Sequence, residues 1–220
     1  MEITIIADVH ANLPALEAVL AETQGLEVFC CGDLVGYTAF PNETVELIRN
    51  LGIKCIMGNH DYAVATGDFT RLNDSAKKAA IWTAKVLSED NLKFLANLPK
   101  SYVGTRFTAF HGSPRDPLFD YIFQNVSDEI LSSFLGTAST LILGHTHLSF
   151  IRKIGGKIIF NPGSVGQPRD RDPRASYAIL DTKDNEAVIK RASYDIDSVV
   201  KEIRRHKLPV EFAKRLLQGN

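Results

Sequence analysis

The chain lacks a net charge to speak of: 25 Lys and Arg stand against 26 Asp and Glu, leaving a formal charge of -1 over 220 residues. That balance argues against a generic electrostatic pull on nucleic acid or anionic membrane. No apolar run approaches membrane-spanning length. The start, MEITIIADVH, has no basic segment and meets an Asp after a few apolar residues, which predicts a first strand in place of a signal peptide. Internal repeats, low-complexity tracts and linker-like composition shifts are also missing. Cysteine is scarce and odd in number. Cys30, Cys31 and Cys55 all sit in apolar runs, which predicts buried free thiols in a reducing cytoplasm. A vicinal redox pair at Cys30 and Cys31 is the sharper alternative, but adjacent strand residues point to opposite faces.

What is present is an ordinary globular composition, 45% hydrophobic and 23% charged, in a chain long enough to bury a substantial core. The pattern predicts a strand over EITIIA, then a helix over LPALEAVLAE with Asn12 as its N-cap and Pro14 in its first turn. Strand and helix recur in Glu27 to Cys31 and TVELIRN, with a third strand over Ile53 to Met57. Such alternation predicts a parallel sheet covered by helices. Two helices broken near Ser88 follow between Asn73 and Leu98. Beyond Pro99 the pattern shifts toward hairpins, turning at Gly104 and at Gly155-Gly156, so the second half is expected to be antiparallel. YAILD and EAVIKRA predict two further strands, and DSVVKEIRRHKL and PVEFAKRLLQG two closing helices. One domain over 1–220 is expected, with 193–220 as a C-terminal helical extension.

Five of the apolar runs stop at Asp, Asn or His. ITIIA meets Asp8 and His10, VFCC meets Gly32-Asp33, CIM meets Gly58-Asn59-His60-Asp61, FTAF meets His111, and LIL meets Gly144-His145-Thr146-His147. Ligands of open α/β sheets sit outside the carboxyl ends of the strands, so these groups are expected to converge. Five of the six histidines fall there. Imidazole with carboxylate and amide oxygen suits Mn, Fe, Zn, Co or Ni better than Ca, and lacks the closed set of a structural zinc site. Seven candidate ligands exceed the needs of one ion, so two divalent ions sharing a carboxylate are expected. With Asp8, Asp33 and a bridging hydroxide the site would carry about +1, which suits an anionic phosphate ester.

The five blocks, in this order, resemble the signature of the calcineurin-like metallophosphoesterase superfamily, and the surrounding text DVHANLPALEAVL, GDLVGYTAFPNE and NPGSVGQPRDRDPRASYAILD is similar to its small prokaryotic phosphodiesterase and diadenosine-tetraphosphatase-related members. The resemblance implies a mixed α/β, four-layer sandwich of two β-sheets flanked by helices. It implies one ion on Asp8, His10 and His147, another on Asn59, His111 and His145, with Asp33 bridging. Manganese is the first expectation, with Fe, Zn, Ni, Co or Mg as alternatives. It further implies in-line attack by a metal-bridging hydroxide, with His60 assisting the leaving group.

The sequence departs from the superfamily's protein phosphatases, which carry Asp-Arg-Gly where this chain has Gly36, Tyr37 and Thr38. A phosphate-clamping Arg and the carboxylate partner of the catalytic His are both missing. Substrate cations are sought instead in Arg169, Arg171 and Arg174, for which a self-neutralising cluster with Asp170 and Asp172 is the plain alternative. Asn12 is a helix cap with substrate contact as a second role. Tyr37 and Phe40 either line a pocket or pack the loop. The expectation is a dimetal phosphodiesterase or phosphatase on a small, nucleotide-like phosphate ester. The alternatives are a symmetrical dinucleoside tetraphosphate hydrolase, a Ser/Thr protein phosphatase, or a non-catalytic scaffold; an oligomer is open.

Overall fold

A computed structural model describes residues 1–220. The first five-stranded sheet has the order β10-β9-β1-β2-β3, made of β1 (Glu2–Ile6), β2 (Glu27–Cys30), β3 (Lys54–Cys55), β9 (Ala175–Asp181) and β10 (Glu186–Ala192). The second has the order β4-β5-β6-β8-β7, made of β4 (Ser101–Val103), β5 (Thr108–Phe110), β6 (Thr140–Ile142), β7 (Phe150–Ile154) and β8 (Lys157–Asn161). Eight helices join them: α1 (Leu13–Glu22), α2 (Pro41–Asn50), α3 (Asn59–Thr66), α4 (Asp74–Val86), α5 (Glu89–Ala96), α6 (Asp128–Leu135), α7 (Ile196–Arg205) and α8 (Val210–Gln218).

Strand alternation builds the four layers. In β1, Ile3 and Ile5 share a core with Ala109, Ile158 and Phe160 of the second sheet and with Phe107 just before β5, whereas Ile6 faces α1 and α2. Cys30 and Cys31 divide in the same way, one in each core, and all three thiols are free and buried. On the far side, Ile159 and Leu141 pack against Leu131 and Phe134 of α6. The order is therefore helix, sheet, sheet, helix.

The expected first half is borne out: β1, β2 and β3 are parallel. The expected antiparallel second half is corrected. The hairpins β4–β5 and β7–β8 are antiparallel, but β5, β6 and β8 are parallel to one another. A hairpin turn fixes only its own two strands, and β6 is entered from α6, a crossover that brings the chain back in the parallel sense. The stretch GNHDYAV has no periodic signal for a helix or strand in the sequence. It is the helix α3, whose first turn closes when Asp61 Oδ2 accepts from the Gly58 amide at 3.0 Å. The cap expected at Asn12 is present, accepting from the Ala15 amide, and Asn73 and Ser88 cap α4 and α5 in the same way, accepting from the amides of Ala76 and Asn91.

Helices α7 and α8 pack on α4 and on the loop after β2. Their core joins Val199, Ile203, Phe212 and Leu216 to Ala76, Ala79 and Tyr37.

Candidate metal centre

Because β1, β2, β3, β5 and β6 all present their carboxyl ends on one side, Asp8, His10, Asp33, Asn59, His111, His145 and His147 meet there, and all seven are buried. The loops that carry them are bent hard. Asp8, His10, Asp33, His145 and His147 have φ of 53, 49, 55, 69 and 59°, in the left-handed region where each non-glycine residue costs about 1–2 kcal/mol. Amide hydrogen bonds hold the bends, among them His10 to the Asp33 carbonyl at 2.9 Å and Gly144 to the His111 carbonyl at 2.9 Å. Gly58 is required by contact: a Cβ there would stand 2.0 Å from Asp33 Oδ1.

The imidazoles are oriented from behind. His10 Nδ1 donates to the Val35 carbonyl at 3.1 Å, His111 Nδ1 to the Cys31 carbonyl at 2.8 Å and His147 Nδ1 to the Gln167 carbonyl at 2.6 Å. Each bond turns Nε2 toward the centre. His145 is reversed, with Nδ1 inward. The inward nitrogens face one another: His10 Nε2 lies 3.0 Å from His147 Nε2, and His111 Nε2 lies 3.2 Å from His145 Nδ1 and 3.1 Å from Asn59 Oδ1. Asp8 Oδ1, buried with no hydrogen-bond partner, lies 3.5 Å from His147 Nε2 and 3.8 Å from His10 Nε2. Asp33 Oδ2 reaches both sides, 3.7 Å from His10 Nε2 and 3.3 Å from His111 Nε2.

This arrangement fits a metal pair. His10 and His147 each donate from Nδ1, so their neutral Nε2 lone pairs face each other across 3.0 Å and repel unless a positive charge lies between them. Donors bound to one ion at 2.0–2.1 Å stand about 3.0–3.4 Å apart, the edge of the coordination polyhedron. Three groups bring their donor atoms within 4.8 Å of one another: Asp8, His10 and His147 on one side, Asp33, His111 and His145 on the other, and His10, Asp33 and His60 between them. Asn59 joins the second group.

Electrostatics agree with that sorting. Burial pushes the imidazoles of His10, His145 and His147 well below their ordinary range, keeping them neutral as ligands must be. Burial also pulls His111 down, but Asp33 and then Asp8 outweigh it and carry it up to about 9. Burial lifts Asp8 to about 7, while for Asp33 the neighbouring His111 and His60 overcome burial and hold the carboxyl well below its usual range.

Beside Asp33, Asn59, His145 and His147 lies a cavity of about 30 Å³, walled also by Tyr37, His60, Arg71, Tyr121 and Arg169 among others. That volume suits one water-sized group. The largest cavity, 580 Å³, opens at the opposite edge of the first sheet, between the ends of α1 and α2, and carries none of these residues. Burial lowers the His60 imidazole, with Asp33 opposing. Asp61 does not face His60. Its Oδ1 accepts from the Val35 amide at 3.2 Å and its Oδ2 from Gly58, tying the loop after β2 to the start of α3.

Of the three arginines, Arg169 alone lines the cavity. Its Nη2 donates to Gln167 Oε1 at 3.2 Å and to the Tyr37 hydroxyl at 3.4 Å, and its buried Nε has no partner. Arg174 chelates Asp172, and Arg171 is exposed with its amide bound to the Gly219 carbonyl. Neither lines the cavity. Asn12 caps α1 and donates to the Gly166 carbonyl at 2.9 Å and the Tyr194 hydroxyl at 3.2 Å, so its side chain is spent within the fold. Arg71 and Tyr121 were not foreseen. Tyr121, whose ring centroid is 3.9 Å from that of His145, comes from an aperiodic segment with no local signal.

Comparison with known proteins settles the family. The model of the "Calcineurin-like phosphoesterase superfamily domain" matches residues 1–185. The chain belongs to that superfamily. Similar proteins match along its length: a metallophosphoesterase from Sphaerobacter thermophilus superposes with a TM-score of 0.88 at 34% identity, covering 100% of this chain and 99% of that one. A hypothetical protein from Pyrococcus horikoshii OT3 shares the fold with a TM-score of 0.90 at 23% identity, over 100% and 98% of the two chains. An uncharacterised protein of Methanocaldococcus jannaschii is 37% identical over 241 residues, covering 99% of this chain and 98% of its own length.

Proposed function

We propose that this phosphoesterase-superfamily chain is a metal-dependent phosphoric ester hydrolase that acts on a small phosphodiester or other small organic phosphate. Two divalent ions would be held, one by Asp8, His10 and His147, the other by Asn59, His111 and His145, with Asp33 serving both. Manganese heads the candidates, with Fe, Zn, Ni, Co or Mg compatible with the same donors. Bound there, the pair supplies Lewis acidity and an activated water for attack at phosphorus. The observation that carries the reading is Asp33 Oδ2, within 3.7 Å of His10 Nε2 and 3.3 Å of His111 Nε2, which places one carboxylate oxygen between two ligand groups.

The chain's own residues divide the remaining work. Arg169 offers an unpartnered buried guanidinium N–H to a phosphate oxygen, a charge-assisted bond of the kind that positions an anion. His60, on the cavity wall, moves a proton to the leaving oxygen. Arg71, stacked 3.7 Å over Phe119 and bonded to Asp116 at 3.1 Å, narrows the mouth together with Tyr121, which favours a small ester over a phosphoprotein. The free, buried thiols suit a reducing, cytoplasmic setting.

Purified protein loaded with Mn is expected to hydrolyse bis-p-nitrophenyl phosphate. If neither that diester nor p-nitrophenyl phosphate is turned over with any of the six metals, the reading is wrong. Specificity constants on diadenosine tetraphosphate, cyclic nucleotides and phosphopeptides then rank the substrate classes.

A further inference from the structure

An imidazole that moves a proton is usually oriented by an acceptor on its second nitrogen. His60 has none. Its Nδ1 is buried without a hydrogen-bond partner, and Asp61 is committed to the Val35 and Gly58 amides. Nor is there room to supply one at Gly36, where a Cβ would stand 2.5 Å from Nδ1. At Gly36 the imidazole nitrogen therefore faces backbone that carries no side chain.

What holds the ring is aromatic. Tyr37 lies tilted against it, with centroids 4.6 Å apart, and stands edge-on to His10 at 4.5 Å. His10 meets the ring edge-on beside Tyr37, with centroids 4.8 Å apart, so the three rings pack as a triangle. Tyr37 in turn meets Phe212 of α8 at 4.9 Å, and Phe212 is fully buried in the core of the C-terminal hairpin. The matched superfamily region ends at residue 185, so Phe212 lies outside it.

We propose that Tyr37 is the positioning residue for His60, and that Phe212 holds Tyr37 in place, so that the C-terminal hairpin sets the geometry of a proton transfer it does not touch. Packed rings restrict rotation without adding charge, which substitutes for the missing carboxylate in orientation alone. The proposal rests on the assignment of His60 to leaving-group protonation.

The test uses the full-length, metal-loaded protein and a set of aryl phosphodiesters of one shape with leaving groups from good to poor. Loss of proton donation harms poor leaving groups most, so His60→Ala is expected to show a selective loss of about 100-fold between the extremes. Tyr37→Ala and Phe212→Ala are each expected to show the same selectivity at about tenfold, with Tyr37→Phe retaining wild-type leaving-group dependence. Adding Tyr37→Ala to His60→Ala should bring no further selective loss. Ile203→Ala, equally buried in the hairpin, should lower thermal stability and leave the leaving-group dependence unchanged; Phe212→Leu serves if the Ala variant does not fold. As a readout apart from turnover, the His60 side-chain 15N resonances in the zinc-loaded protein should be single and sharp, and broadened in Phe212→Ala. A uniform loss across leaving groups in Tyr37→Ala and Phe212→Ala, or a selective loss that persists without His60, overturns the positioning claim alone. A uniform loss in His60→Ala overturns the His60 assignment and the proposal with it.

Discussion

The backbone amide of His60 donates to Asp33 Oδ1 at 2.8 Å. The carboxylate that reaches both ligand groups therefore also pins the first turn of α3, and with it the side chain on the cavity wall. Metal loading and His60 placement share one residue.

Asp33 substitutions should separate those two duties. Asp33→Asn keeps an oxygen for the His60 amide but loses the charge between the groups, and is expected to weaken metal binding by more than about 100-fold while the fold stays intact. Asp33→Ala should lose the metal and also lower the melting temperature. Metal content after dialysis, read beside thermal unfolding, checks both; an Asp33→Asn protein that keeps two ions would contradict the shared role.

Metal uptake should release protons. His111, carried up to about 9, holds its proton in the metal-free protein at pH 7.5, and Asp8, lifted to about 7, holds a fraction of one. An incoming ion needs both groups bare, so affinity should rise with pH until about 9 and fall as pH drops below it. Titration calorimetry in buffers of different ionisation enthalpy is expected to show release of about one proton or more at pH 7.5. Binding without proton release would mean that the ion displaces no proton from His111, contradicting its place among the ligands.

The two arginines that differ in placement should differ in effect. Arg169→Ala removes a charged donor from the cavity and is expected to raise KM by about tenfold or more, the equivalent of a charge-assisted hydrogen bond. Arg174→Ala breaks only an exposed chelate with Asp172 and should change KM little. Steady-state kinetics on one diester decides; equal effects would contradict the placement.

Gly36→Ala should injure activity beyond its cost to stability. The residue has φ of +104°, and its new methyl would meet His60 Nδ1. The backbone strain costs about 1–2 kcal/mol, and displacement of His60 should reduce kcat while both ions remain bound. A variant with wild-type kcat would show that His60 tolerates movement.

Much of the centre was legible because its residues follow apolar runs whose period is plain, and because Asp8 through His147 keep one order. The direction of the second sheet was not. Alternation tells which face a side chain takes but says nothing of strand sense, so hairpin signals at Gly104 and Gly155-Gly156 suggested antiparallel pairing throughout. Had β5 and β6 run against each other, His111 and His145 would have left the sheet at opposite edges. Helix α3 was hidden because its cap is a glycine and a reciprocal Asp61 bond, inside text dense with polar residues. Arg169, Arg171 and Arg174 could not be ranked from spacing, since only the turn geometry decides which guanidinium points inward. Tyr121 reaches His145 from a segment with no period at all.

An anomalous-difference map from a manganese-soaked crystal addresses the central claim most directly. Two peaks are predicted, one among Asp8, His10 and His147 and one among Asn59, His111 and His145, with Asp33 between them. A lone peak, or scattering only away from these side chains, would contradict the account.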